Sequence, residues 1–209
     1  MNRRPAAALL LSLSAMFASS GCQTSAPSSH PRDEAAAASD NKELLALYDA
    51  DQADRTPGTT PDDWQKVQTN DLQREARVRE MLDAGLVRSG RDYFHAAMVF
   101  QHASDPAGIQ LAHELAMIGA CLGNADSRWL AAASYDRLLM YLKVPQRFGT
   151  QYRTDEQGVM KLYEVGEGVT DPMRAALNVP PIAQAREREK EMQAQMDELR
   201  KSLNPASAK

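Results

Sequence analysis

The chain has 209 residues, of which 43% are hydrophobic and 25% are charged, and its net charge is −4 at pH 7. An acidic chain without a basic stripe lacks the electrostatic footprint of a nucleic-acid-binding protein, so no nucleic-acid partner is predicted. The two cysteines, Cys22 and Cys121, form no CxxC motif. This count excludes a disulfide framework and a cysteine-based metal site.

The first 22 residues have the layout of an export signal. Arg3 and Arg4 precede an apolar run over residues 5–18, and small residues lead to Cys22. The run is too short to span a bilayer, which needs about 20 apolar residues. The segment resembles a bacterial lipoprotein signal peptide at residues 1–21. The resemblance implies cleavage before Cys22 and acylation of its sulfur and its new amino group. In the alternative interpretation, this is an ordinary secretory signal and Cys22 is incidental.

The residues after Cys22 indicate where such an anchor would lie. Gln23 stands where an aspartate commonly retains lipoproteins in the inner membrane, so the resemblance implies the periplasmic face of the outer membrane. Removal of residues 1–21 takes away two arginines, which leaves 22 basic (24 − 2) against 28 acidic residues. Residues 22–39 lack aromatic and branched apolar side chains and are predicted to form a disordered tether. A single helical domain is predicted over residues 40–181.

Capping signals divide the next part of the chain into five predicted helices. The first four starts combine a capping side chain with an acid or a proline in the first turn, and the fifth is placed at Asp126. The fourth helix is expected to end at Gly123 and the fifth at Pro145. The five predicted starts are Asp40 with Glu43, Thr60-Pro61, Ser89 with Asp92, Asp105-Pro106, and Asp126.

The pattern changes after Pro145. Residues 148–165 are typical of a β-hairpin with a turn near Asp155 to Gly158, and a short helix is predicted after Asp171. Residues 182–209 are predicted to form a charged helix and tail, whose heptad spacing is broken by Glu189. This helix could dock on its own domain, project into solvent, or form a coiled coil with a partner through residues 182–203. The predicted fold class is mainly α: a compact bundle of about five helices, a small β-hairpin and a charged C-terminal helix.

Several polar residues fall on apolar helix faces. Residues 129–142 are apolar on all sides, which predicts a buried helix, and Asp136 and Arg137 lie about 100° apart on it. At least one of these charges should face the interior and need a partner. Asp71 lies at the centre of the apolar face of the second helix, and Arg137 is its expected counter-ion. Cys121 is expected to be a buried thiol in an apolar helix.

A metal site can also be drawn from the histidines. Its ligands would be His95, His102, His113 and Glu114. However, no HxxxH or HExxH pair fixes two ligands on one helix face, so hydrogen-bonded core histidines are the favoured interpretation. No metal and no cofactor are predicted.

Four separated motifs resemble the pattern of an uncharacterised bacterial domain family. They are Gln101-His102-Ala103-Ser104-Asp105, Gln110, Asp136-Arg137 and residues 146–151 (QRFGTQ). The family pattern is QHxxD…Q…DR…QxYGTQ, and the resemblance extends from residues 51–55 (DQADR) to about residue 182. Phe148 replaces the usual tyrosine, and Arg74 stands where the family would have an asparagine. The resemblance implies which residues matter but brings no activity.

These observations together predict one polar pocket between the helices and the hairpin. Arg137 would bind an anionic or carbonyl group, and His102 is the candidate for proton transfer. In the alternative interpretation, the same residues form a sealed network that binds nothing. The predicted members are Asp71, Gln101, His102, Gln110, Asp136, Arg137, Gln146, Thr150 and Gln151.

Three functions follow from this prediction. The favoured one is a lipid-anchored binding or interaction module for a small polar or anionic ligand. The second is a hydrolase or transferase that uses His102 and Arg137, although the sequence has no GxSxG or SxxK nucleophile motif. The third is a structural envelope protein with a buried polar network.

Overall fold

A computed structural model of the chain describes residues 40–55 and 61–203. The predicted signal peptide, Cys22 and the predicted tether lie outside the described residues, as does the end of the C-terminal tail. The described helices are α1 (Lys42–Ala53), α2 (Pro61–Asp83), α3 (Gly90–Gln101), α4 (Pro106–Cys121), α5 (Asp126–Tyr141), α6 (Asp171–Ala176) and α7 (Ile182–Leu203). Strands β1 (Tyr152–Thr154) and β2 (Met160–Leu162) form an antiparallel pair. The predicted fold class is confirmed.

Local sequence explains most helix starts. Ser89 and Asp92 form the predicted capping box of α3, and Asp105 accepts hydrogen bonds from the first amides of α4. The start of α1 differs from the prediction, because Asn41 is the capping residue. Asp40 instead accepts a hydrogen bond from Ser89 Oγ at 2.9 Å and so ties the start of α1 to the start of α3.

The apolar core lies among the first five helices. Helix α4 packs most extensively against α3 and α5, and α1 and α2 cover α3. Many of the core residues on α3, α4 and α5 are alanines, which let the helix backbones approach closely. The buried core comprises Leu44, Val78, Met81, Val87, Ala96, Ala97, Val99, Phe100, Ala112, Leu115, Ala116, Leu130 and Ala131.

One prediction about burial held only in part and another was wrong. Helix α5 is buried on all sides only over residues 130–134, whereas Trp129 and Tyr141 are 38% and 45% exposed. Helices α3 and α4 pack against α5, and Trp129 lines a cleft instead of the core. Cys121 is exposed. It lies about 200° around α4 from Gly119, the last residue of the buried stripe of that helix.

Helix α7 docks on the hairpin through polar side chains. Leu162 N donates to Glu189 Oε2 at 2.8 Å, and Met160 N donates to Gln193 Oε1 at 2.6 Å. The Tyr152 hydroxyl donates to Ala185 O at 3.0 Å. Glu189, which breaks the heptad spacing, therefore accepts a hydrogen bond from a backbone amide of β2. The predicted coiled coil with a partner stays a prediction.

None of the helices among the described residues is long and apolar enough to cross a membrane.

Candidate functional site

A buried carboxylate on α5 holds the loop at residues 146–151. Asp136 is fully buried and accepts hydrogen bonds from Arg147 N at 2.7 Å and Phe148 N at 2.9 Å. It also accepts from Thr150 N at 3.1 Å and Thr150 Oγ1 at 2.8 Å. The partner that its burial requires is therefore a cradle of backbone amides and a hydroxyl, not an arginine.

Two glutamines connect this loop to the hairpin. Gln151 N donates to Gln146 Oε1 at 2.8 Å, while Gln146 Nε2 donates to Gln151 O at 3.0 Å and to Tyr163 O at 2.8 Å. Gln146 is fully buried and Gln151 is 6% exposed. Gln151 Nε2 also donates to Ala133 O at 3.1 Å, so its side chain is fixed against α5. The loop thus presents Gln151 Oε1 in a defined position.

Arg137 uses that oxygen. Its Nε donates to Gln151 Oε1 at 3.1 Å, and its Nη1 donates to Gln101 O at 2.6 Å. No carboxylate of the described ranges lies within ion-pair distance of Arg137. Burial, followed by the nearby charge of Arg55, lowers the pKa of the Arg137 guanidinium. The guanidinium is therefore a partly buried positive charge, and its hydrogen bonds in the described ranges go to neutral acceptors.

The expected ion pair between Asp71 and Arg137 is not formed. Asp71 instead accepts from Arg55 Nη2 at 2.7 Å and from Arg74 Nη1 at 2.8 Å. Arg74 also contacts Asp54, and it is only 6% exposed. Periodicity placed Asp71 on a buried face correctly, but two closer arginines neutralise it. Arg74, the departure from the family pattern, is thus a buried ion-pair partner in this chain.

A cleft of about 770 Å³ opens beside Arg137. Helix α7 and the segment before it form its opposite wall through residues that include Val179, Gln184 and Arg188. Gln101 is 4% exposed, and its Oε1 has no hydrogen-bond donor among the described residues. Five of the predicted site residues line this cleft: Gln101, His102, Arg137, Thr150 and Gln151.

His102 is oriented by a residue that the sequence analysis did not select. Its Nδ1 lies 3.1 Å from Asp51 Oδ1 and 3.0 Å from Asp51 Oδ2. Asp51 is fully buried and also accepts from Arg55 Nη1 at 2.9 Å. With Nδ1 engaged, Nε2 is the ring nitrogen left for a ligand or a proton transfer. Asp51 lies in the DQADR segment, where the family resemblance begins, and that resemblance is the sequence signal that could have identified it.

The other predicted residues lie elsewhere. Asp136 and Gln146 lie behind the cleft and position its wall, while Asp71 belongs to the ion-pair cluster with Arg55 and Arg74. Gln110 is exposed on α4, where its Nε2 donates to Glu114 Oε1 at 2.9 Å. The structure therefore brings together five of the nine residues at one surface and supports that surface with two more.

A further residue that holds the loop at residues 146–151 was not identified from the sequence. Arg174 on α6 is 4% exposed and was not selected from the sequence. Its Nε donates to Phe148 O and its Nη1 donates to Val169 O, both at 3.0 Å. It thus fixes the cleft loop by a contact additional to those of Asp136. A lone arginine in a short helix carries no sequence signal for that role.

The histidines do not converge on a metal. His113 Nδ1 lies 2.8 Å from Ala131 O, His102 binds Asp51, and His95 stacks on the Tyr48 ring with centroids 4.6 Å apart. Within residues 40–55 and 61–203, no group of three or more metal-ligating side chains is placed to hold an ion. The metal site drawn from these histidines and Glu114 is therefore not formed by the described residues.

The fold and the cleft define a helical protein with an uncompensated arginine and a carboxylate-oriented histidine at one surface. No protein-family model matches the chain, and neither a curated protein nor a solved structure matches it. The resemblance to the uncharacterised domain family stays a prediction.

Proposed function

We propose that this protein is a lipid-anchored binding module of the bacterial cell envelope whose cleft binds the carboxylate group of a small ligand. The observation that carries the proposal is Arg137, a partly buried guanidinium without a carboxylate partner among the described residues. Burial of an unpaired charge costs several kcal/mol, and a bound anion offsets that cost.

The chemistry of the cleft wall favours a carboxylate. A guanidinium has five N–H donors in a planar fork, and the described contacts of Arg137 use Nε and one donor of Nη1. The remaining donors match the two oxygens of a carboxylate. Gln101 Oε1 accepts no hydrogen bond from the described residues. A ligand N–H or O–H group next to the carboxylate would donate the hydrogen bond that this oxygen lacks.

The location is proposed from the N-terminal segment. The resemblance of residues 1–22 to a lipoprotein signal supports an acylated Cys22 and attachment to the periplasmic face of the outer membrane. Two acyl signals on one residue give stable attachment, whereas one chain is marginal. Substitution of Cys22 by alanine should release the protein from the membrane fraction, and retention there would contradict the proposed anchor.

The ligand proposal can be tested with two small probes. N-acetylglycine carries a carboxylate, whereas N-acetylglycinamide has the same shape without the charge. Binding measured by NMR titration should be at least about tenfold weaker for the amide, because a charged hydrogen bond contributes about 1.5–3 kcal/mol. Arg137→Met should remove this difference in affinity. Arg128→Met, which changes an exposed arginine of the same helix, should leave it unchanged. Equal binding of both probes would refute the site.

A second candidate function is a hydrolase in which His102 moves a proton. The contact that favours it is the one between His102 Nδ1 and the buried Asp51 carboxylate, which leaves Nε2 as a base. Such an enzyme should hydrolyse p-nitrophenyl acetate faster than buffer does. His102→Gln should abolish that excess rate while N-acetylglycine still binds. A rate equal to that of buffer would exclude this candidate for activated esters.

The third candidate, a structural envelope protein, predicts a different outcome. If neither probe binds and Arg137→Met unfolds the domain, the polar residues act only as a packing network. Thermal unfolding followed by circular dichroism makes that distinction.

A further inference from the structure

A second cleft of about 620 Å³ adjoins the first. Its lining includes Tyr48, Asp49, His95 and Asp126, and it shares Met98 and Trp129 with the cleft beside Arg137. Because they share wall residues, the two clefts are neighbours, and together they are called the groove. The cleft that contains Arg137 is called the carboxylate end, and the cleft that contains Asp49 and Asp126 is called the acidic end.

Helical geometry places the two ends of the groove along one direction of the fold. On α5, Asp126 and Arg137 are 11 residues apart, which places them about 20° apart around the axis and about 16 Å apart along it. The same order holds on α3, where His95 lines the acidic end, Met98 both ends and Gln101 the carboxylate end. The three helices α1, α3 and α5 therefore each run from the acidic end to the carboxylate end.

The acidic end has the chemistry that binds an ammonium group. Asp49 and Asp126 line this end together with the aromatic residues Tyr48, Phe94 and Trp129. Aromatic faces and carboxylates both attract organic cations. Burial, followed by the charges of Asp49 and Asp126, raises the pKa of Tyr48, which agrees with a negative field at this end.

The two basic residues at the acidic end do not compensate both acids. The Arg91 guanidinium lies 3.6 Å from the Asp40 carboxylate, so it is already paired. Burial, followed by the charge of Arg91, lowers the pKa of His95, so its imidazole is neutral at pH 7. His95 is 3% exposed, and its Nδ1 has no partner in the described ranges. The groove thus has an unfilled polar atom at each end, His95 Nδ1 and Gln101 Oε1.

The carboxylate end of the groove is rich in amide side chains. Gln52, Gln151 and Gln184 line the carboxylate end together with Gln101. Each amide has donors and acceptors, which match the N–H and C=O groups of a peptide backbone. At about 3.3–3.6 Å per residue, an extended chain of four or five residues covers the axial distance of about 16 Å.

We propose that the groove binds an extended peptide of four or five residues, with its C-terminal carboxylate at Arg137 and its amino terminus between Asp49 and Asp126. This inference rests on the carboxylate site proposed above, to which it adds the ligand class and the direction of binding. The two termini of the peptide have opposite charges, and each would meet side chains of the opposite sign: Arg137 at one end of the groove, and Asp49 and Asp126 at the other.

The test uses the full-length protein and the peptide Ala-Ser-Ala-Ser-Ala in three forms: free, N-acetylated and C-amidated. Isothermal titration should show at least about tenfold weaker binding when either terminus is blocked. The double variant Asp49→Asn/Asp126→Asn should lose the preference for a free amino terminus and keep the preference for a free carboxylate. Asp83→Asn, at the exposed end of α2, is the matched control and should change neither preference.

The outcomes separate this inference from the site on which it rests. If N-acetylglycine binds but blocking the amino terminus has no effect, the peptide inference is wrong and the carboxylate site stands. The same conclusion follows if the dipeptide Ala-Ser binds as tightly as the pentapeptide, because it cannot reach both ends. If no probe distinguishes carboxylate from amide, the proposed function itself fails.

Discussion

Thr150 donates two hydrogen bonds to the Asp136 carboxylate, one from its backbone amide at 3.1 Å and one from its hydroxyl at 2.8 Å. Through this contact α5 fixes the loop that presents Gln151 to Arg137. The two neighbouring residues Asp136 and Arg137 therefore have different tasks. Asp136 positions the wall of the cleft, and Arg137 lies in that wall.

Substitution of Asp136 should destabilise the protein strongly. Asp136→Asn removes the charge that four donors share and turns an amide group toward some of them, which should lower the free energy of unfolding by about 2–4 kcal/mol. Thr150→Val should cost about 1–2 kcal/mol, because it removes one donor. Thr150→Ser is the control that keeps the hydroxyl. Urea unfolding measures all three, and a stable Asp136→Asn protein would contradict the cradle.

Gly149 should be harder to replace than a glycine of similar conformation elsewhere. Its φ is 80°, and an added Cβ would lie 2.8 Å from Ile182 Cδ1. Gly123 has a φ of 93° and nothing within 4 Å of such a Cβ. Both alanine variants carry a backbone penalty of about 1–2 kcal/mol. Gly149→Ala should lose additional stability because the Ile182 side chain, or α7 with it, must shift. Equal melting temperatures would show that Ile182 adjusts freely.

The buried arginine of α2 should contribute far more to stability than an exposed one on the same helix. Arg74→Met leaves Asp71 and Asp54 short of a partner and should cost about 2–4 kcal/mol. Arg77 pairs with Glu43 and Glu80 at the surface, so Arg77→Met should cost at most about 1 kcal/mol. Denaturant unfolding of the two variants compares them directly. Similar losses would mean that Arg55 alone neutralises the cluster.

His95 should make the protein less stable in acid. Burial holds its folded-state pKa below the ordinary 6.5, so the unfolded chain binds more protons between these two values. Its contribution is complete above pH 6.5 and is lost as the pH falls from 6.5 through the folded-state pKa. His95→Phe keeps a ring next to Tyr48 and should show a smaller decrease in unfolding free energy between pH 7.5 and pH 5.5. If the variant loses as much unfolding free energy as the unchanged protein, residues other than His95 cause the acid sensitivity.

The accuracy of sequence-based reasoning depended on the range of the interaction. Helix starts were predictable where a cap and its amides lie within four residues, as at Ser89 and Asp105. The hairpin was predictable for the same reason, since its turn residues are neighbours. Ion pairing was not: Asp71 lies on a buried face as predicted, but Arg55 and Arg74 reach it instead of Arg137. The choice among several arginines depends on how the helices pack.

The sequence by itself determined the helices, the hairpin and the residues that could not remain unpaired in an apolar face. These follow from hydrophobic periodicity and from capping groups, which are local properties of the chain. Only the tertiary structure decided which polar residues face a cleft and which face the interior. Asp136 found its partners in a loop 11 to 14 residues away, and His102 found Asp51 across 51 residues of sequence. Such contacts arise from helix packing, which brings together groups that no local pattern relates.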